Sequence, residues 1–199
     1  MDYQITNDHR KSNTYILKIN ESEVVIIDIG DFDTNSFAQW LTHKNLKLRA
    51  VFLTHEHSDH CEGVNRLSEI YEFDLYCSEI CATNIKDPKQ NFSKYLEGIE
   101  TFSVNKRCSI LQDKSSIILG NSVFHVIETP GHSPGSICII TGNSIYTGDT
   151  IMKTKTPLGF PHSDKVEYKR SLLKLDEYLQ NEITIYPGHG NPFPSIEKY

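Results

Sequence analysis

Apolar residues in this chain gather in short runs broken by polar turns. Residues 15–19, 23–27, 49–53, 74–77, 115–119, 122–127, 136–140 and 183–186 are each of strand length and rich in Ile, Val, Leu and Phe. A different period governs residues 165–180, where Leu172, Leu175 and Leu179 recur at i, i+3 and i+7 above a charged face, which predicts a helix. A second helix is expected to start right after His60. Strands in consecutive pairs with helices between them predict a layered α/β domain, with the sheet order left open by periodicity alone. No linker, repeat or low-complexity tract divides the chain, so the expectation is a single domain over residues 1–199.

Composition narrows the function classes. With 38% hydrophobic residues the chain can fill a sizeable core. The net charge of −6 comes from interleaved acids and bases, with no basic stretch that could track a phosphate backbone, so nucleic acid is not an expected partner. No apolar run approaches the roughly 18 residues of a membrane span, and residues 1–10 are too polar for an export signal. The expectation is a soluble cytoplasmic protein with a small-molecule substrate and no membrane partner. Five cysteines (Cys61, Cys77, Cys81, Cys108, Cys138) lack C-x-x-C spacing, which argues against a disulfide framework or a thiolate zinc site. Cys77 and Cys81 have the spacing of a shared helix face, but Cys77 reads as the end of a strand.

The candidate chemistry lies in Thr54-His55-Glu56-His57-Ser58-Asp59-His60, directly after the run at 49–53. Of nine histidines in the chain, three fall within these few residues, which makes chance a poor account. A strand end turning tightly into a helix aims several side chains at one point, and imidazole with carboxylate suits zinc, iron or manganese. Three later motifs repeat the layout, each with a potential ligand beside glycine after an apolar strand: Thr129-Pro130-Gly131-His132, Thr147-Gly148-Asp149-Thr150 and Pro187-Gly188-His189-Gly190. His9 and His43 read as surface residues, and His125 as a structural residue alternating within a strand.

These motifs resemble the metallo-β-lactamase superfamily, whose signature is H-x-H-x-D-H followed by a distant His, an Asp and a final His. The resemblance implies a four-layer αβ/βα sandwich with the site at one edge of its two sheets. It implies two divalent ions, zinc first with iron or manganese possible. His55, His57 and His132 would hold one ion, Asp59, His60 and His189 the other, and Asp149 would bridge them. The implied reaction is hydrolysis by a metal-bridging hydroxide, with Asp59 orienting the nucleophile. Asp28 matches an acidic family position that orients a ligand imidazole, and reads equally well as a turn cap before Gly30.

The combination of His60 and Asp149 looks like the glyoxalase II-like branch, rich in thioester hydrolases, rather than the commonest zinc β-lactamases. Glutathione-thioester members of that branch use basic and tyrosine residues from an added C-terminal helical domain, which the short segment after His189 does not resemble. The expected substrate is therefore another thioester or ester. Residues 159–164, Gly-Phe-Pro-His-Ser-Asp, look like a family segment stripped of its Arg-x-Asp. Persulfide dioxygenases with one iron commonly keep that arginine, which ranks their chemistry second and a non-catalytic metal-binding module third. The segment 151–164 follows Asp149 and is expected to wall the substrate pocket through Lys153, Lys155, Phe160 and His162.

Overall fold

The computed structural model describes residues 3–98, 100–180 and 182–196. Two six-stranded sheets carry the fold. The first runs in the order β1 (Tyr3–Thr6), β2 (Asn13–Lys18), β3 (Glu23–Ile27), β4 (Lys47–Phe52), β5 (Asp74–Ser78), β6 (Cys108–Leu111). Its first three strands pair antiparallel and β3 to β6 pair parallel. The second runs β12 (Phe193–Pro194), β11 (Thr184–Pro187), β10 (Ser144–Gly148), β9 (Ile137–Thr141), β8 (Ser122–Glu128), β7 (Ser116–Leu119), parallel only between β10 and β11.

Strand β3 shows why its sequence is apolar at every other position and at those between. Val24 and Ile26 pack with Phe37 and Leu41 of α1 (Thr34–His43) and with Val64 and Leu67 of α3 (Gly63–Ile70), whereas Val25 and Ile27 face the second sheet. A strand buried on both faces has no solvent side to alternate with. Between the sheets Phe52 stacks on Phe124 with ring centroids 5.0 Å apart. On the outer face of the second sheet, α5 (Lys165–Leu179) seats Leu175 against Ile127, Ile145 and Ile185. Helices, sheet, sheet and helix make the four layers of an αβ/βα sandwich.

Several elements depart from the expected pattern. Strands β1, β6, β10 and β12, helix α1 and a short helix over Glu79–Asn84 are additional to it. The helix expected after His60 begins earlier: Asp59 and His60 lie inside α2 (Ser58–Cys61), and α3 follows from Gly63. Hydrogen bonding explains the early start, since His60 N–H already donates to His57 C=O at 3.0 Å. Cys77 lies in β5 and Cys81 in α4 (Glu79–Asn84), so the pair shares no helix face. Among the described residues no helix is long and apolar enough to cross a membrane.

Candidate metal centre

The four motifs come together where strands of both sheets end. His55, His57, Asp59 and His60 follow β4, His132 follows β8, Asp149 follows β10 and His189 follows β11. Among the clusters that their ligand atoms form are the two groups the resemblance implies, and a third cluster, Asp28 with His55 and His60, overlaps both. His55, His57 and His132 make the first group, Asp59, His60 and His189 the second, with the donor atoms of each group within 4.8 Å of one another. His57 Nδ1 and His132 Nε2 are 3.0 Å apart, and His60 Nε2 and His189 Nε2 are 3.4 Å apart. Asp149 reaches both groups: its Oδ2 lies 3.5 Å from His132 Nε2 and 3.5 Å from His189 Nε2, and its Oδ1 lies 3.5 Å from His60 Nε2.

Neighbouring acceptors fix which ring nitrogens face inward. His132 Nδ1 lies 2.9 Å from Pro157 C=O, and His60 Nδ1 lies 2.9 Å from Asp28 Oδ2. A carbonyl or carboxylate can only accept, so both Nδ1 atoms carry hydrogen and each Nε2 turns into the site. Asp28 also accepts from Thr54 N at 2.7 Å and from Thr54 Oγ1 at 2.7 Å. With its proton committed to Asp28, the Thr54 hydroxyl is left to accept from His55 Nδ1 at 3.0 Å. One buried carboxylate therefore orients His60 directly and His55 through Thr54, so Asp28 does more than cap a turn.

The donor set fits divalent ions. His55 Nε2 and Asp149 Oδ1 are buried without hydrogen-bond partners, each at a desolvation cost of about 1–3 kcal/mol that an ion would relieve. Burial, aided by neighbouring histidines, holds His55 well below the usual imidazole range and His57 down to about 3, leaving both neutral as ligation requires. In the second group burial opposes charge but loses. Asp59 is held at about 2 by His60 and His189, and Asp149 well below its usual range by His60, His189 and His132. Burial would lower His60, yet Asp59, Asp28 and Asp149 raise it to about 9; His189 is raised to about 10 against burial by Asp149 and Asp59. Protons on these two imidazoles balance the carboxylates where cations would otherwise do so.

Backbone geometry permits the convergence. A Cβ on Gly188 would lie 2.1 Å from Asp149 Oδ1, so only glycine lets β11 end this close to the carboxylate.

The sequence matches the model of the Metallo-beta-lactamase superfamily over residues 7–189. The chain belongs to that superfamily. Among curated relatives it is 25% identical to the probable polyketide biosynthesis zinc-dependent hydrolase PksB of Bacillus subtilis (strain 168), with 88% of this chain and 71% of the relative covered. It is 26% identical to the hydroxyacylglutathione hydrolase of Francisella tularensis subsp. novicida (strain U112), covering 92% of this chain but only 64% of that relative. Among solved structures, the BLEG-1 B3 metallo-beta-lactamase superposes with a TM-score of 0.89 at 26% identity, covering 98% of this chain and 95% of that one.

Beside the superfamily's motifs lies a cavity of about 260 Å³, lined by His57, Asp59, Asp149 and His189 together with Met152, Lys155, Pro157 and Phe160. Of the four residues expected to wall the substrate pocket, Lys155 and Phe160 line this cavity. Lys153 instead lies over the Phe193 ring at 5.8 Å, and His162 stacks on Phe92, lining the adjacent cavity. Phe160 meets His57 edge-on at 5.3 Å between ring centroids. Replacing Phe160 with alanine is expected to raise KM for the best substrate roughly 3- to 10-fold with bound metal unchanged, the worth of one aromatic contact. Unchanged kcat/KM would remove Phe160 from the pocket wall. His125 lies in β8, its Nδ1 2.7 Å from Ser116 Oγ, apart from both ligand groups.

Two residues stand here that the motifs did not single out. Glu56, between two candidate ligands, is buried and accepts from Ser133 Oγ at 2.9 Å, Asn84 Nδ2 at 2.9 Å and Gly135 N at 3.3 Å. It ties the loop carrying His55 and His57 to the loop carrying His132. Arg10, on the hairpin between β1 and β2, lines the same cavity as Asp59 and His189.

Proposed function

We propose that the protein is a dinuclear metal-dependent hydrolase of ester or thioester bonds. The observation that carries this reading is Asp149, a buried carboxylate placed between two ligand groups with one oxygen left without a hydrogen bond. Two divalent ions there, zinc first with iron or manganese as alternatives, would supply Lewis acidity toward a carbonyl and a water acidic enough to ionise near neutral pH. The chain does the rest. Asp59, ionised well below neutral pH, accepts a hydrogen bond from the attacking water and fixes its approach. Asp28 and Thr54 hold His55 and His60 with Nδ1–H turned outward, so each presents Nε2 to the site, and His60 would exchange its Nε2 proton for an ion entering the second group. Phe160, Met152 and Pro157 narrow the apolar side of the cavity and orient the acyl group.

Support for the chemistry comes from the relatives' names. One is called zinc-dependent, and another acts on an acylglutathione, which is a thioester. A structural relative named as a β-lactamase adds β-lactams to the substrates worth testing. We read residues 1–199 as one domain acting on a small molecule in the cytoplasm. The test is a panel of thioesters, lactones, esters and β-lactams, with oxygen uptake on a persulfide measured in parallel, on protein of known metal content. Thioester or ester hydrolysis that scales with bound metal is the expected result. Oxygen consumption with a persulfide and no hydrolysis would replace this reading with the dioxygenase.

A further inference from the structure

Two cations face the cavity from opposite ends of the sequence. Arg10 comes from the β1–β2 hairpin and Lys155 from the segment after Asp149. Neither forms an ion pair among the described residues, whereas Lys11 on the same hairpin reaches Asp8 at 3.7 Å, and Arg49, Arg66 and Lys174 each have an aspartate within 3 Å. Lys44, Lys86, Lys89 and Arg107 are likewise without an ion pair among the described residues, so what sets Arg10 and Lys155 apart is their place: both line the cavity beside Asp59, Asp149 and His189.

The hairpin is fastened to the site itself. Ser12 Oγ donates to Asp59 C=O at 2.6 Å, Asn13 N donates to Gly188 C=O at 2.7 Å, and Asn13 Nδ2 donates to Pro187 C=O at 3.0 Å. Arg10 thus stands two residues from an anchor on the backbones that carry Asp59 and His189. Arg10 and Lys11 hold φ of 54° and 58°, where glycine or asparagine would be the easier choice.

We infer that the substrate carries, besides its scissile bond, an anionic group, a carboxylate or phosphate, that Arg10 and Lys155 bind. Arginine forms a forked pair with either anion, and lysine adds a point charge. This assignment rests on the hydrolase reading for the bond that is cut, but not for the anion. With ions in both ligand groups the carboxylates Asp59 and Asp149 are neutralised, and the cavity presents net positive charge to what enters it.

The test uses metal-loaded protein and three thioesters with one leaving group: a succinyl thioester, its methyl-capped neutral counterpart, and an acyl thioester bearing a phosphate. The quantity read is the ratio of kcat/KM for each anionic probe to that for the neutral one. Wild-type protein is expected to favour an anionic probe about tenfold or more per cation, and the ratio is expected to fall toward one in the Arg10→Gln, Lys155→Gln double variant. The probe that loses more identifies carboxylate or phosphate as the group. Lys11→Gln, on the same turn, should retain the ratio. Calorimetric binding of an uncleavable thioether analogue of each anionic probe, compared with the neutral analogue, gives a readout independent of turnover. Loss of anion-dependent binding in the double variant, without hydrolysis of any probe, would keep the anion site and overturn the hydrolase reading. Hydrolysis of all three probes at equal kcat/KM, or equal losses on charged and neutral probes in the variants, would overturn the anion site and keep the hydrolase.

Discussion

Replacing Asp149 with alanine is expected to abolish hydrolysis and to release at least one ion per chain. Asp149 is the candidate ligand whose oxygens reach both groups, 3.5 Å from His132 in the first and 3.5 Å from each of His60 and His189 in the second. Its removal takes a negative charge from a buried cluster of imidazoles and leaves no side chain spanning the groups. Losing a residue that merely orients a ligand typically costs about 10- to 100-fold in metal affinity or activity. Losing the shared ligand should exceed that. Asp149→Asn keeps the shape and removes the charge, so it should fall between alanine and wild type. Activity and metal content both retained in Asp149→Ala would remove this residue from the centre.

Glu56→Ala is expected to lower stability by about 3–5 kcal/mol and to weaken metal binding although Glu56 touches neither ligand group directly. The substitution takes the acceptor from the buried Gly135 N–H, from the half-buried Asn84 amide and from the Ser133 hydroxyl, which keeps Ser136 Oγ at 2.9 Å; an unsatisfied buried donor costs about 1–3 kcal/mol, and the cavity left by the buried side chain adds to it. His132 sits beside Ser133, so loosening that loop also loosens a ligand. Denaturant unfolding of metal-free protein separates the stability loss from any effect of ions. A change below about 1 kcal/mol would show that the loops hold their places without Glu56.

The site was more legible in the sequence than the strands around it, for reasons visible in particular residues. Histidine and aspartate beside glycine at strand ends are chemically unusual, and the four motifs that the fold gathers can each be read locally. Strand β3 was readable because both its faces are buried. Strand β10, Ser144–Gly148, offers only Ile145 and Tyr146 as large apolar residues, and β1 lies at a sheet edge with only partial burial, so neither carries a run. Helix α1 buries only Phe37, Leu41 and Thr34, too few positions to fix a period. Arg10 could not be placed because the hairpin joins it to Asp59 across a long stretch of chain. Lys153 and Lys155 look alike in sequence, and only the path of the loop sends one over Phe193 and the other into the cavity. Glu56 read as a spacer because its partners, Asn84, Ser133 and Gly135, come from elsewhere in the chain. Its one local signal was a carboxylate set between two candidate ligands.

Stepwise zinc loading of metal-free protein, with bound zinc measured by elemental analysis and thioester hydrolysis measured on the same samples, tests the dinuclear reading most directly. The two ligand groups joined by Asp149 predict that zinc binding saturates at two ions per chain and that hydrolysis reaches its plateau only as the second ion binds. Binding that stops at one ion per chain in excess zinc, with hydrolysis already at its plateau, would contradict it.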